Sequence, residues 1–340
     1  MPAGLRTIRA LLIAATLLGG APAGAHELAA GSHLDVSRPE VAAFIDQLVA
    51  QGFDRAQLSA TLAQAELQPR VLDAVTKPAE VTLQWWEYRA RFLTTERIDA
   101  GARLWLEHRE LLDQIALHWQ VPPQYLLAIV GAESYFGRTT GHYRVLDALA
   151  TLAFDYPPRS EYFRSELAQF MLLSRDEHLD PLETYGSYAG AMGALQFMPS
   201  SYRRYAVSAA GGAHADLWTS WPDIFSSVAN YVHGYGWRYE EPVLLEVSAT
   251  KPGDQGVSGG VTLNETLGAL RARGLTPDSS LPDDTRCVLL AAPLQDGISY
   301  RAGLQNFYVI TRYDRSPLYA MVVNDLAAAL LARVQSPEPP

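Results

Sequence analysis

Through the first two thirds of the chain, apolar residues recur at helical spacing. Val41, Phe44, Ile45, Leu48 and Val49 fall at i, i+3, i+4, i+7 and i+8, which predicts one buried helix face, capped by Ser37, entered at Pro39 and stopped by Gly52. A second helix is predicted over 54–66. Trp85, Trp86, Tyr88 and Phe92 read as a connecting stretch into a long helix from Thr95 to His118, which Pro122 and Pro123 end. Further helices are predicted over 123–133, 145–154, 160–174, 199–207 and 222–234, separated by Gly and Pro turns.

After Gly236 the pattern changes to short β-branched runs. Val243–Val247, Cys287–Ala291 and Phe307–Tyr313 are predicted strands, and a Gly-rich stretch and a small helix around Glu265–Arg273 separate the first two. A last helix, Pro317 to Val334, presents Ala320, Val323, Leu326, Leu330 and Val334 to the helical part. The class is α+β, mainly helical with a small β-containing region near the C-terminus. The division expected is 26–84 as an N-terminal helical region, 85–236 as the helical core, 237–316 as the β-containing region, and 317–340 as a docking helix with a polar tail.

Composition narrows the function. The 340 residues carry a formal charge of -10, and Lys77 and Lys251 are the only lysines, which disfavours nucleic acid as a partner. No uninterrupted apolar run reaches the ~18 residues of a membrane span. Residues 1–25 read as an export signal: Arg6 and Arg9 precede the apolar stretch Ala10–Leu18, and Ala23-Gly24-Ala25 offers a cleavage site. No cysteine lies near that site, so the expectation is an exported periplasmic protein without a lipid anchor. Cys287 is the single cysteine and sits in an apolar run, which excludes an internal disulfide and reads as a small buried hydrophobe. The histidines lack HExxH spacing, so zinc is not expected. Gly256-Val257-Ser258-Gly259-Gly260 matches GxSxG by letters but lacks the strand and helix of a nucleophile elbow, and reads as a loop. Asp176, Glu177, Asp180 and Glu183 read as a solvated helix end and turn.

Two segments carry candidate chemistry. In Leu126 to Gly137 an apolar helix ends in one acid, Glu133; a carboxyl there is either a general acid whose neutral form is favoured by apolar neighbours or a solvated glutamate at a helix end. In Tyr185 to Tyr202, small residues surround Ser187 and Gln196, which either present a hydroxyl and an amide to an uncharged polar ligand or serve a tight packing turn.

These segments resemble the lytic murein transglycosylase B family, whose members cleave peptidoglycan glycan strands. The resemblance runs from about Trp85 to Val334. It includes Val145 to Leu152, Ser227-Val228-Ala229-Asn230-Tyr231 and Asn306 to Tyr313. It implies a lysozyme-like core in which Glu133 is the single acid and base and no cofactor takes part. By matching position, it implies that Tyr88, Arg159, Tyr162, Ser187, Gln196, Tyr231, Tyr313 and Tyr319 bind sugar. The implied reaction breaks the bond between N-acetylmuramic acid and N-acetylglucosamine without water and leaves a 1,6-anhydro sugar.

Three departures qualify the resemblance. Pro158 stands where the family has the first of two arginines, leaving Arg159 alone to contact the peptide or lactyl group. Asp314 replaces an asparagine and adds a negative charge near the site. In the stretch corresponding to an EF-hand-like calcium loop, Ser208, Ala210 and Gly212 supply one hydroxyl, although Asp216 and Asp223 remain; no metal is expected. Two rival functions stand beside this reading. One is a water-using muramidase with a second carboxylate, for which Asp314 is the candidate. The other is a non-catalytic peptidoglycan-binding protein.

Overall fold

A computed structural model describes residues 31–76, 83–249, 257 and 260–336. The export signal, its cleavage site and most of the GxSxG letters lie outside these residues. Three helices come first: α1 (Pro39–Val49), α2 (Arg55–Leu62) and α3 (Pro69–Thr76). Ser37 does not cap α1; its amide and hydroxyl both donate to Asp35, and Arg38 occupies the cap position. Asp54 caps α2 instead, accepting from the Gln57 amide. Helix α3 was not predicted.

The stretch from Trp85 is helical, not a connector: α4 (Trp85–Phe92) has its Gln84 and Glu87 in a capping box, a signature present in the sequence. The long helix predicted from Thr95 is two helices, α5 (Thr95–Glu107) and α6 (Arg109–Trp119). The break is at His108, a residue without intrinsic breaking tendency. Its ring packs 5.9 Å from Trp221 and 6.1 Å from Phe225, so tertiary contact sets the bend.

Helix α7 (Pro123–Ser134) starts on two prolines and runs through the centre, with Leu126 to Gly131 fully buried. Then follow β1 (Tyr143–Arg144), α8 (Val145–Asp155), a 3-10 turn over Pro157–Arg159, α9 (Ser160–Asp176), β2 (Tyr185–Gly186), α10 (Pro199–Tyr205) and α11 (Trp221–Gly234). The N-terminal segment docks on α8 through side chains that satisfy its backbone. The Glu66 amide donates to Asp147 at 3.0 Å and the Gln68 amide to Thr151 at 2.9 Å.

The remainder holds β3 (Leu244–Ala249), β4 (Glu265–Thr266), α12 (Leu267–Ala272), β5 (Leu275–Pro277), β6 (Arg286–Pro293), β7 (Ile298–Gly303), α13 (Gln305–Ile310) and α14 (Pro317–Gln335). The strands form one antiparallel sheet in the order β4-β6-β7-β3-β5. Cys287 lies in its core, and burial pushes the thiol up to about 11, an inert state. The predicted strand at 307–313 is instead α13 and the turn after it. Buried Asn306 decides this, because its side chain accepts from the Arg238 amide and donates to the carbonyls of Arg238 and Glu241, fixing the chain where a helix must begin.

Helix α14 is 19 residues long with a mean hydropathy of 1.4, enough by length and composition to cross a membrane, which the count of uninterrupted apolar residues did not register. It packs on α4, α5 and α7 in the core. Asp325 fastens it: its carboxylate accepts from Arg301 of β7 at 2.8 Å and from Arg89 of α4 at 2.9 Å. The Asp325 and Arg301 side chains are 9% and 12% exposed, so removing the acid strands a guanidinium left with the exposed Glu246 and the Trp85 ring face. Asp325→Ala is expected to cost about 3 kcal/mol in urea unfolding, whereas Arg89→Ala, at a half-exposed partner, is expected to cost under ~1 kcal/mol. Equal costs would show that the pair does not fasten the sheet to the helices.

Candidate active site

Helix α7 delivers Glu133 at its last turn, and the way that helix ends fixes the acid. Tyr135, Phe136 and Gly137 follow in left-handed backbone at φ 52°, 58° and 77°. Two such aromatic residues in succession are strained, so the surroundings must hold them. Gly131 and Gly101 make the room: a Cβ at either would lie within 2.7 Å of the Phe136 ring, which plugs the space between α5, α7 and α14. Ser134 completes the reversal, its buried hydroxyl donating to the Ala194 carbonyl at 2.6 Å and accepting from the Gly137 amide at 2.8 Å. The serine after the glutamate therefore ties the acid's helix to the loop that carries Gln196.

The Glu133 carboxyl accepts a 2.5 Å hydrogen bond from the hydroxyl of Tyr319, in the first turn of α14. Tyr313 stacks on Tyr319 with centroids 6.4 Å apart, and Tyr231 lies 4.7 Å from Tyr313. Each of the inner two is anchored by its hydroxyl, Tyr313 donating to the Leu195 carbonyl and Tyr231 to the Arg312 carbonyl, both at 2.6 Å. Burial, and then the negative charge of Glu133, hold the hydroxyls of Tyr313 and Tyr319 well above the usual phenol value. Tyr231 is raised by burial, neighbouring tyrosines and Glu133 in turn. All three therefore stay neutral donors. Phe197, which the sequence reading passed over, packs 5.5 and 5.7 Å from Tyr231 and Tyr313.

Ser187 and Gln196 sit in turns, as well as near the acid's loop. The Ser187 hydroxyl oxygen accepts from the amides of Ala189 and Ala191 at 3.2 and 3.1 Å, leaving its proton to donate outward. Gln196, at φ 48°, spends its side-chain N–H groups on the carbonyls of Thr140 and Gly193 at 3.0 and 2.9 Å, which turns its amide into an acceptor site. Gly141 permits the close approach of these turns, since a Cβ there would fall 2.0 Å from the Gly186 backbone.

Arg159 and Tyr162 lie together at the start of α9, the guanidinium 4.4 Å above the ring. Buried Glu166, one turn further and missed in the sequence, accepts from the amide and hydroxyl of Ser200 at 3.0 and 2.7 Å and so holds α10 against α9. Tyr88 is buried in α4, its ring 5.1 Å from Phe92. Glu133, Tyr231, Tyr313, Tyr319 and the Gln196 loop form one connected cluster. A cavity of about 560 Å³ between the α1–α2 turn and the end of α9 contains none of the predicted residues.

Residues 37–328 match the Transglycosylase SLT domain family. The chain belongs to that family. It is 40% identical over 310 residues to the membrane-bound lytic murein transglycosylase B of Escherichia coli K12, covering 88% of this chain and 85% of that one. Its fold is similar to that of the soluble lytic transglycosylase SltB1 of Pseudomonas aeruginosa, with a TM-score of 0.83, 42% identity, and coverage of 88% of this chain and all of that chain. It is also similar to Escherichia coli Slt35 in a complex with calcium, with a TM-score of 0.82, 38% identity, and coverage of 92% and 99%.

The 208–216 loop of this chain does not fit such an ion. The Asp223 carboxylate is occupied at both oxygens by the amides of Ala209 and Asp216, each at 2.9 Å. Asp216 accepts from the amides of Trp218 and Thr219 and from the Thr219 hydroxyl. Asp223, Ser227 and Asn230 fall on one face of α11, and the latter two bond the backbone at Val207 and Tyr205. Side chains of α11 thus close the loop by accepting from, and donating to, its backbone.

Asp314, the departure beside the site, accepts from the Ser316 amide in the turn before α14. Burial raises its carboxyl above the ordinary 3.8, with the Ser316 amide opposing. A raised folded value stabilises the protein fully below 3.8, and that contribution is lost as pH climbs through the raised value. Asp314→Asn, neutral throughout, is therefore expected to melt with the native chain below about pH 4 and a few degrees above it at neutral pH. Calorimetry across that range checks this; a variant that melts lower at neutral pH would contradict it.

Proposed function

We infer that the chain is a peptidoglycan lytic transglycosylase in which Glu133 alone serves as acid and then as base. The observation that carries this reading is the Glu133 carboxyl held by the neutral Tyr319 hydroxyl at the end of an apolar helix, in a row of aromatic rings suited to the faces of sugars. Protonated Glu133 gives its proton to the oxygen between the muramoyl and glucosaminyl rings, and the bond from that oxygen to the muramoyl C1 breaks. The carboxylate, steadied by Tyr319, takes the proton of the same ring's C6 hydroxyl as O6 closes on C1. A 1,6-anhydro ring results, no water is consumed, and the acid is regenerated. Tyr88, Arg159, Tyr162, Ser187, Gln196, Tyr231 and Tyr313 are assigned to sugar binding, Ser187 and Gln196 as donor and acceptor. An enzyme of this kind works outside the cytoplasm, and residues 1–25 supply the export signal.

Glu133→Gln keeps the shape and loses the transferable proton. Turnover is expected to fall by roughly 10²–10⁴-fold with an unchanged melting temperature, and mass spectrometry of digested sacculi reads the anhydro products. Near-native release would remove Glu133 from the chemistry, and hydrated rather than anhydro ends from the native enzyme would favour a muramidase. The closed 208–216 loop yields a second expectation. A chelator changes neither melting temperature nor activity, and a loss of either that calcium restores would refute it.

A further inference from the structure

Around Tyr135, two residues after Glu133, lie two cations without acids, Arg97 of α5 and Arg138. Arg97 of α5 is half-buried between two rings, its guanidinium carbon 5.0 Å from the Phe92 centroid and 4.7 Å from that of Tyr135. Its side chain donates to the Gly131 carbonyl at 2.8 Å. Arg138 is exposed and lies 5.0 Å from the same Tyr135 ring. Among the described residues neither arginine enters an ion pair, in a protein where acids outnumber basic groups by 37 to 27. Taking a guanidinium partly out of water without a counter-ion is costly, and such a group gains more from an incoming anion than a solvated one does. Burial lowers the Arg97 guanidinium below its ordinary value, opposed by Tyr135 and by no carboxylate, and the group stays cationic at neutral pH.

The support beneath these groups is preset. The left-handed backbone at Tyr135 and Phe136, and the Thr139 amide bonded to the Ser134 carbonyl at 2.9 Å, hold the ring between both guanidinium groups before any ligand arrives. The rings and the cations are contiguous with the end of α7 that bears Glu133. A glycan strand of N-acetylated sugars is neutral, and its negative charges are the carboxylates of the peptide stems on the muramoyl rings.

We propose that Arg97, Tyr135 and Arg138 form a subsite beside Glu133 that binds a carboxylate of the substrate's peptide stem. The proposal rests on the transglycosylase reading and deepens it, because Pro158 leaves Arg159 as a single cation at the other candidate position for such a contact. Planar guanidinium groups suit carboxylates by paired N–H donation, and the Tyr135 face keeps them oriented.

The test is calorimetric titration of the Glu133→Gln protein with a free stem peptide and with the same peptide amidated at its carboxylates. Amidation is expected to weaken binding about tenfold, equivalent to about 1.4 kcal/mol. Adding Arg138→Gln is expected to weaken the free peptide by a similar factor and to leave the amidated peptide where it was. Arg138 is exposed, so the melting temperature serves as a control that the fold survives; Arg97→Lys, which keeps the charge and loses the fork, is expected to fall between. In the native enzyme, stem-bearing strands are expected to have a higher kcat/KM than peptide-stripped strands, chiefly through KM, and Arg138→Gln brings that ratio toward one. No binding, equal binding of both peptides, or an unchanged ratio in Arg138→Gln overturns the subsite. Absence of anhydro products from the native enzyme would instead overturn the transglycosylase reading, while the peptide titration still reports on the subsite.

Discussion

The hydrogen bond between the Tyr319 hydroxyl and the Glu133 carboxyl joins residues 186 positions apart, and the architecture serves to make it. Helix α7 supplies the acid from the middle of the chain and α14 supplies the hydroxyl from its end. The strands in between must return the chain to the helical body in one orientation. Asp325 does this from α14 by holding Arg301 of the sheet and Arg89 of α4 together, and Asn306 does it from α13 by capturing the backbone at Arg238 and Glu241. A long closure of this kind costs chain entropy, and buried, paired polar groups set its register.

The tyrosines depend on that bond in turn. A phenol beside a carboxylate in a dry site resists ionisation, so Tyr313 and Tyr319 remain neutral donors at neutral pH. Two of the hydroxyls in the row, those of Tyr231 and Tyr313, are spent on backbone carbonyls, and the buried Tyr231 ring is packed among Phe197, Tyr205, Tyr235 and Tyr313. The hydroxyls of Tyr231 and Tyr313 thus fix the row of rings to the backbone, while that of Tyr319 is turned to the acid.

Much of this was legible in the residues. The helices with strong apolar periodicity, α1, α7, α8, α9, α11 and α14, begin and end within a few residues of where Pro, Gly and the apolar spacing put them. The segment ending in Glu133 announced itself by an apolar run closing on one acid. What failed was decided by distant contacts. The break at His108 depends on Trp221 and Phe225, and the helix at Gln305 depends on Asn306 overriding a β-branched run that reads locally as a strand. Strand β7 was missed although Asp296-Gly297 marks its hairpin, with Gly297 at φ 96°. Phe197 and Glu166 had no local signal, since a buried phenylalanine or a glutamate on an amphipathic helix is indistinguishable by spacing from a packing or surface residue.

The unpaired arginines follow from the same geometry that fixes the acid. The reversal at Tyr135 and Phe136 is needed to plug Phe136 into the gap above Gly131 and Gly101, and that reversal necessarily turns the Tyr135 ring out toward α5. Arg97 meets the ring there and donates one N–H to the Gly131 carbonyl, which also accepts from the Tyr135 amide that caps α7. The cation thus contributes to ending the helix that holds Glu133, whatever it later binds. A carboxylate arriving at Arg97 would load the same helix terminus that sets the acid's position, and occupancy by a peptide stem and alignment of the acid would then be coupled through one short stretch of backbone from Gly131 to Tyr135.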